Sequence, residues 1–501
     1  MLPEARFLPH PAVRVASFAL LFWGVLLCGC SRQGVGKGGE SSTPRPGHGA
    51  RHRPARTGTE RLGYTISANE ELSHLQIELC PRGFRIEQLV APSDGAQRLL
   101  SASKIHTPEG DYTCRAESVE LPTLREDECL SYGVDLAERA PDPTALRRVA
   151  RDLLASPDLW LWVPSPLPEG VQIRARFALP NGVQALVPWT RTGDEWLIPE
   201  SAFNWKSAGA FSRAPSQRLA IDGVDLQFAP LNAPSFANAR AVEAWLVEGA
   251  RTSSLLFGGF PVPRALVIAV PRDHSGPSFG MALRGGGPAV VILLDQNAGE
   301  RDLAADWTAT HEFLHLGIPR LPAEDAWLFE GLATYYTEVL RARAGLISPE
   351  EAYQRLLDGF ERGRNNGGGR TLREDSARMH ERRAYFRVYW AGAALAFLTD
   401  VEARRGHGVG LDEALNAFAH CCAASELNWS AAGVLAHLDR TMGAARFQNL
   451  ANTWLSSADF PALATTFRAL GLSPGAHGKA SFKVAPESGL RDAIMAHPER
   501  R

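Results

Sequence analysis

Neither sign of charge dominates this chain. Lysine and arginine number 53 against 55 aspartates and glutamates in 501 residues, a formal net charge of −2. That balance leaves no basic footprint of the kind nucleic acid requires, so no nucleic-acid partner is expected. Long hydrophobic runs are missing too. The apolar stretch from Val15 to Leu27 falls short of the about 20 residues needed to span a bilayer. Cysteine is sparse, with seven in the chain, and none has the spacing of a zinc ligand set. What remains is an apolar share of 45%, enough for a globular body of two or three domains.

The first sixty residues concern location. Arg6 and Arg14 precede the run Val15 to Leu27, which reads as the core of a signal peptide. The run meets Leu27-Cys28-Gly29-Cys30, which resembles a bacterial lipobox with Cys30 as the lipidated residue. Ser31 after the cysteine favours outer-membrane sorting in a diderm cell. The expected location is therefore the cell envelope, as a lipoprotein facing the periplasm or the cell surface. Residues 31–60 are rich in Gly, Ser, Pro and Arg and read as a flexible tether, including the solvated basic cluster Arg51 to Arg56. Export into an oxidising compartment predicts one disulfide among Cys80, Cys114 and Cys129, with the pairing open. Adjacent Cys421 and Cys422 are expected to be small core residues.

The chemistry lies in His311-Glu312-Phe313-Leu314-His315, followed fifteen positions later by Glu330 in Trp327-Leu328-Phe329-Glu330-Gly331. With 14 histidines in the chain, a His-Glu-x-x-His string should arise by chance in roughly 0.02 chains of this composition. Residues four apart share a helix face, so both imidazoles can hold one zinc ion. Glu312 stands one residue beyond the first ligand, where a carboxylate can serve as general base toward water. A third ligand from another helix leaves the fourth position open, which distinguishes a catalytic zinc from a structural one. Asn297 to Gly317 reads as the first helix, stopped by Gly317 and Pro319. Asp325 is the expected N-cap of a second, from Ala326 to about Ala344, closed by Gly345. On its face, Ala326, Ala333, Thr334 and Thr337 surround Glu330 and permit close approach to the histidines.

Alternation between Leu62 and about Ala229 is mostly of period two, as in Leu75, Ile77 and Leu79 or Ile173, Ala175 and Phe177, suggesting a sandwich. A helical insert is expected from Pro143 to Ala155. Helical periodicity resumes from Ala233 to Glu248. The runs Ala265 to Val270 and Ala289 to Leu294 read as strands of a small sheet, and the chain from Arg301 to Leu472 reads as mainly helical. The expected organisation is a signal peptide over 1–30, a linker over 31–60, a β-rich domain over 61–230, a catalytic domain over 231–473 and a tail over 474–501. Gly285-Gly286-Gly287 lacks the Lys-Ser/Thr of a phosphate loop and is expected to be a hairpin or substrate-edge loop.

The stretch Trp327 to Glu350, WLFEGLATYYTEVLRARAGLISPE, resembles the glycyl aminopeptidase family of gluzincin zinc metallopeptidases, related to the aminopeptidase N group. The resemblance extends to Val388-Tyr389-Trp390-Ala391-Gly392, where relatives carry Tyr-x-Lys-Gly, to Gly410 through Ala414, and to Leu470-Gly471-Leu472. It implies an α+β multidomain protein, in which a β-sandwich-like domain precedes a thermolysin-like, mainly helical catalytic domain with a small sheet. It implies one zinc per chain on His311, His315 and Glu330, Glu312 as base, and Tyr389 as hydrogen-bond donor to the oxyanion. The substrate would be a peptide or protein bound along Gly280, Met281, Ala282 and Leu283. In relatives a Gly-Gly-Leu-Glu-His type motif lies there and its glutamate binds the free α-amino group. Here Ala282 takes that glutamate's place, and no acidic residue occurs between Asp273 and Asp295, so strict aminopeptidase specificity loses its physical basis. Ala391 replaces the lysine, and the 29 residues after Leu472 are too few for the PDZ domain common in the family. Alternatives are a retired gluzincin-fold lipoprotein that binds peptides or envelope material, and a hydrolase of non-peptide substrates. Exo- or endo-action, side-chain preference and oligomeric state are not legible in the sequence.

Overall fold

Alternating apolar residues build the first half of the fold. In the strand His74–Arg82, Leu75, Ile77 and Leu79 are fully buried while their neighbours face out. Register places Ile77 opposite Ile66 and Leu79 opposite Tyr64 of the strand Arg61–Ala68, so one face of the pair is continuous core. The computed structural model describes residues 60–497 apart from 114–116, 123, 138–141, 277, 408–409 and 424–428. The signal segment with Cys30, the linker through residue 59, and Cys114 lie outside the described residues.

Arg61–Ala68 and His74–Arg82 are central in an eight-stranded sheet, which is accompanied by three-stranded and four-stranded sheets. Together they make the β-rich N-terminal region, and the C-terminal region is mainly helical, as the α+β multidomain reading requires. A disulfide joins Cys80 to Cys129. The expected helix from Pro143 to Ala155 is instead a hairpin, Leu146–Val149 with Asp152–Ala155. Ala150 takes positive φ at its turn, and Asp152–Ala155 pairs with Ala210–Ser212. Tertiary pairing here outweighs helix-forming composition.

The strands Gln217–Ile221 and Val224–Pro230 join a five-stranded sheet with Arg264–Arg272, Ala289–Asp295 and Phe279–Leu283. Phe279–Leu283 is its last strand and pairs only with Ala289–Asp295. The helix Ala239–Phe257 lies against the helix Thr308–His315, and Gly249 is where they meet: a Cβ there would press on Ala309.

The helix expected over Asn297 to Gly317 is two, Glu300–Ala305 and Thr308–His315. Asp306 breaks it. Its backbone is extended, and its carboxylate accepts the N–H groups of Thr308 and Ser278, capping the second helix and tying it to the edge strand. The next helix, Ala326–Arg343, ends before Gly345 at positive φ, as the sequence predicts. Asp325 sits at its N-cap position but gives its carboxylate to the Ala431 N–H instead. The long helix Tyr385–His407 crosses Ala326–Arg343 at Gly331 and Gly392. A Cβ on Gly392 would strike the Trp327 carbonyl oxygen, and one on Gly331 would strike Gly392. The two backbones therefore touch, which no larger residue permits.

A buried charge network fixes this crossing. Asp400, fully buried, accepts hydrogen bonds from Tyr335 Oη at 2.8 Å, Arg404 Nε at 3.0 Å and Leu411 N at 2.8 Å. Arg404 also reaches Asp412, which pairs with Arg343. Asp400→Ala should therefore cost about 3 kcal/mol, because it strands buried donors that Asp400 now satisfies. A lowered Tm is the expected measurement.

Two further expectations are corrected. Of the segment expected as a tail over 474–501, the described residues 474–497 carry the helix Ser488–Met495, whose Ile494 and Met495 enter the core of the helical region. Arg343 donates to the Ile494 carbonyl and Tyr353 to that of Arg491. Cys421 and Cys422 are joined to each other in a turn of π-helix, where Cys421 is exposed and only Cys422 packs, half-buried, against the helical core. Both lie near His437, and Cys80 and Cys129 lie near Glu78, so metal-like groupings arise that spacing did not suggest. Their sulfurs are spent in disulfides and are poor ligands in that state. Among the described residues no helix is long and apolar enough to cross a membrane.

Candidate metal centre

Both imidazoles project from one face of Thr308–His315 because they are one turn apart. Glu330, one residue before the Gly331 crossing, meets them from the second helix. Its Oε2 lies 3.4 Å from His311 Nε2 and 3.3 Å from His315 Nε2. Ligand atoms about 2.05 Å from a shared zinc, at tetrahedral angles, stand about 3.3 Å apart. The three side chains are thus already spaced for one zinc ion, and they are buried or nearly so.

The tautomer is set from behind. Thr337 Oγ1 donates to the Ala333 carbonyl at 2.7 Å, so toward His311 Nδ1, 3.2 Å away, it can act only as an acceptor. That places the proton on Nδ1 and leaves the Nε2 lone pair facing Glu330 and the metal position. The sequence reading noted Thr337 only as a small residue; its hydroxyl orients a ligand. Thr337→Val keeps the shape and removes the acceptor. Zinc affinity should fall roughly 10- to 100-fold, read by competition with a chelator dye.

Arg284 was missed as well. Its buried guanidinium donates to the carbonyls of His315, Leu316 and Ile318 at 3.0, 2.7 and 2.6 Å. These carbonyls close the histidine helix and the turn just after it, and a cation suits that terminus. Burial pushes its pKa down to about 10, so it stays charged at neutral pH. Arg284 thereby holds the edge strand and the histidine helix in one register.

Glu312 lies under that strand, where a Cβ on Gly280 would run into its side chain. Burial, opposed by His311 and aided by Glu330, raises its pKa to about 7. The Ala282 N–H donates to it. Ala282 faces Glu312 and the apolar core beside Phe313, whereas Met281 and Leu283 face the opposite layer. Burial also acts to raise Glu330, but the adjoining His315 and His311 rings outweigh it and hold this carboxyl well below the usual range. Tyr389 is raised well above the ordinary phenol, first by burial and then by Glu330 and Glu312, so it remains an O–H donor. It donates to Glu330, and its ring lies parallel to that of His311 with centroids 6.5 Å apart.

All the expected catalytic and metal residues therefore converge: His311, His315 and Glu330 as a triad, Glu312 and Tyr389 around it, and Gly280 to Leu283 as the adjoining edge. Gly285 bridges to Ser207 in the preceding region and cradles no helix start, consistent with a hairpin loop. A hollow of about 980 Å³ lined by Arg147, Arg148, Arg151 and Arg213 includes none of the site residues.

Fold and site together place two histidines and a glutamate, residue types that hold zinc, on two neighbouring helices beside a small sheet. Residues 320–392 match the family model described as M61 glycyl aminopeptidase, which includes Glu330 and Tyr389 and begins after the two histidines. The resemblance read from Trp327 to Glu350 and at Val388 to Gly392 is thus shown over that segment. No curated protein matches the chain. Among solved structures, an aminopeptidase N family protein from Idiomarina loihiensis aligns with a TM-score of 0.67 at 12% identity, over 82% of this chain and 78% of that one. A mutant M1 zinc metallopeptidase from Deinococcus radiodurans, bound to a Tyr-Ser-Ala substrate, aligns with a TM-score of 0.50 at 16% identity, over 81% and 95%. At such identities the likeness is one of fold.

Proposed function

We propose that this protein is a zinc-dependent metallopeptidase that hydrolyses peptide bonds. The observation that carries the reading is the convergence of His311, His315 and Glu330 at tetrahedral ligand spacing, with Glu312 and Tyr389 beside them. The donor set suits one zinc per chain. Zinc held there supplies Lewis-acid polarisation of a carbonyl and of the attacking water. Glu312 accepts the proton of that water and returns it to the leaving amine. Its burial and intermediate pKa suit both duties. Tyr389 supplies a hydrogen bond to the carbonyl oxygen as it gains charge, a donation commonly worth about 3–4 kcal/mol. The strand Phe279–Leu283 aligns the substrate backbone through its unpaired edge.

A retired site that only binds peptide or envelope material would have no use for Glu312 as a base, and no observation favours it. The test is reversible metal removal. Dialysis against a strong chelator should abolish cleavage of a mixed peptide library, and about one equivalent of zinc should restore it. Cleavage that persists in the stripped protein would contradict the proposal.

Export rests on the sequence alone. We propose that the chain is a cell-envelope lipoprotein acylated at Cys30 and carried on the 31–60 tether. Metabolic labelling with a fatty acid should mark the wild type and not Cys30→Ala.

A further inference from the structure

We propose that the site takes internal peptide bonds flanked by bulky apolar side chains, with Trp307 and Phe329 as the specificity-determining residues. The inference rests on the metallopeptidase reading above and names its substrate class.

The first observation is where apolar surface is left open. Five large hydrophobic side chains are exposed among the described residues: Phe279, Trp307, Tyr385, Phe386 and Val484. Four of them sit on the segments that bear the site, and only Val484 does not. Single exposed apolar residues are ordinary, but exposed rings beside a site mark a binding surface, and of these Trp307 neighbours His311 and Tyr385 neighbours Tyr389. Trp307, 36% exposed, meets His311 edge to face with ring centroids 5.1 Å apart. Phe329, half-buried, stacks on His315 with centroids 4.0 Å apart and planes at 14°. One aromatic thus stands against each of the two imidazoles. Tyr385 lies one turn before Tyr389 on the same helix face, extending the apolar wall. A bond cleaved between the imidazoles and Glu312 places its flanking side chains against these rings.

The second observation is charge. An enzyme that selects amino termini needs a carboxylate free to pair with an ammonium, since a desolvated cation without a partner is costly. Position 282 offers a methyl group. Glu312 and Glu330 are engaged as base and ligand. Asp306 spends its carboxylate on Ser278 and Thr308. Glu338, behind His311, is buried and faces Arg341. None of these carboxylates is left to hold a terminus.

The third observation is the strand Phe279–Leu283, the last of its sheet, which can pair with an extended chain continuing in both directions. The absent side chain of Gly280 lets this strand lie directly against Glu312.

The test uses the full-length, zinc-loaded protein and four matched peptides. One pair has Phe and Leu at the central bond and the other has Ala, each with a free or an acetylated amino terminus. Internal cleavage of the acetylated Phe-Leu peptide is expected, at a rate within about threefold of its free counterpart and at least about tenfold above the Ala peptides. Trp307→Ala and Phe329→Ala should each raise KM for the Phe-Leu peptides at least about tenfold more than for the Ala peptides, with zinc content unchanged. Release of single residues from free termini alone would overturn the proposal, as would equal losses on all peptides. Glu312→Gln supplies an arm independent of turnover, through quenching of tryptophan fluorescence by the acetylated peptides. If nothing is cleaved but this variant binds the Phe-Leu peptide over the Ala peptide, recognition stands and the peptidase reading falls. If it binds neither, the recognition proposal itself is overturned.

Discussion

Glu312→Gln should lose at least about 1,000-fold in kcat while keeping its zinc, because it removes the base without touching a ligand. The substitution is nearly isosteric, and the Ala282 N–H can still donate to the amide oxygen. What disappears is the capacity to accept a proton in a buried site where no other base is placed. Glu330 cannot substitute, since both imidazoles hold it ionised and engaged. The pattern expected in steady-state kinetics is a collapse of kcat with KM little changed, together with wild-type metal content. Full activity in this variant would overturn the assignment of the base.

Tyr389→Phe carries the second largest effect. The phenol is kept protonated by burial and by the carboxylates beside it, so it can act only through its O–H. Removing one preorganised donor to a developing oxyanion commonly costs about 100- to 1,000-fold in kcat. The ring remains parallel to His311, so zinc affinity and KM should stay near wild type. A loss confined to KM would instead assign Tyr389 to substrate binding.

The centre of the site was legible in the sequence because its geometry is local. Two histidines one turn apart, a glutamate between them and a third ligand in a well-delimited helix need nothing beyond helical periodicity. Residues that tune and brace this centre act across the fold, and their partners are invisible to a local pattern. Thr337 gains its role only when the helix Ala326–Arg343 lies over His311. Arg284 reads as an ordinary charge until its strand is seen to end beside the carbonyls of the histidine helix. Gly331 and Gly392 look like two unrelated glycines, yet their meeting brings Glu330 and Tyr389 together.

The misread elements share a cause. Thr144 to Ala155 is rich in Ala, Leu and Arg, good helix formers, and nothing local reveals that Asp152–Ala155 will pair with a strand near residue 210. Asp306 interrupts a helical run because Ser278, distant in sequence, supplies a second N–H to its carboxylate. In the β-rich region, period-two alternation proved sufficient for strands such as His74–Arg82, where burial follows the pattern residue by residue.

The most direct test of the account is the zinc stoichiometry of the purified protein, by elemental analysis, for the wild type beside His315→Ala and Glu330→Ala. The account predicts about one zinc per chain in the wild type, and a loss of at least about 100-fold in affinity for each variant as a ligand is removed. A wild type purified without zinc and unable to take it up, or variants that hold zinc as tightly as the wild type, would contradict it.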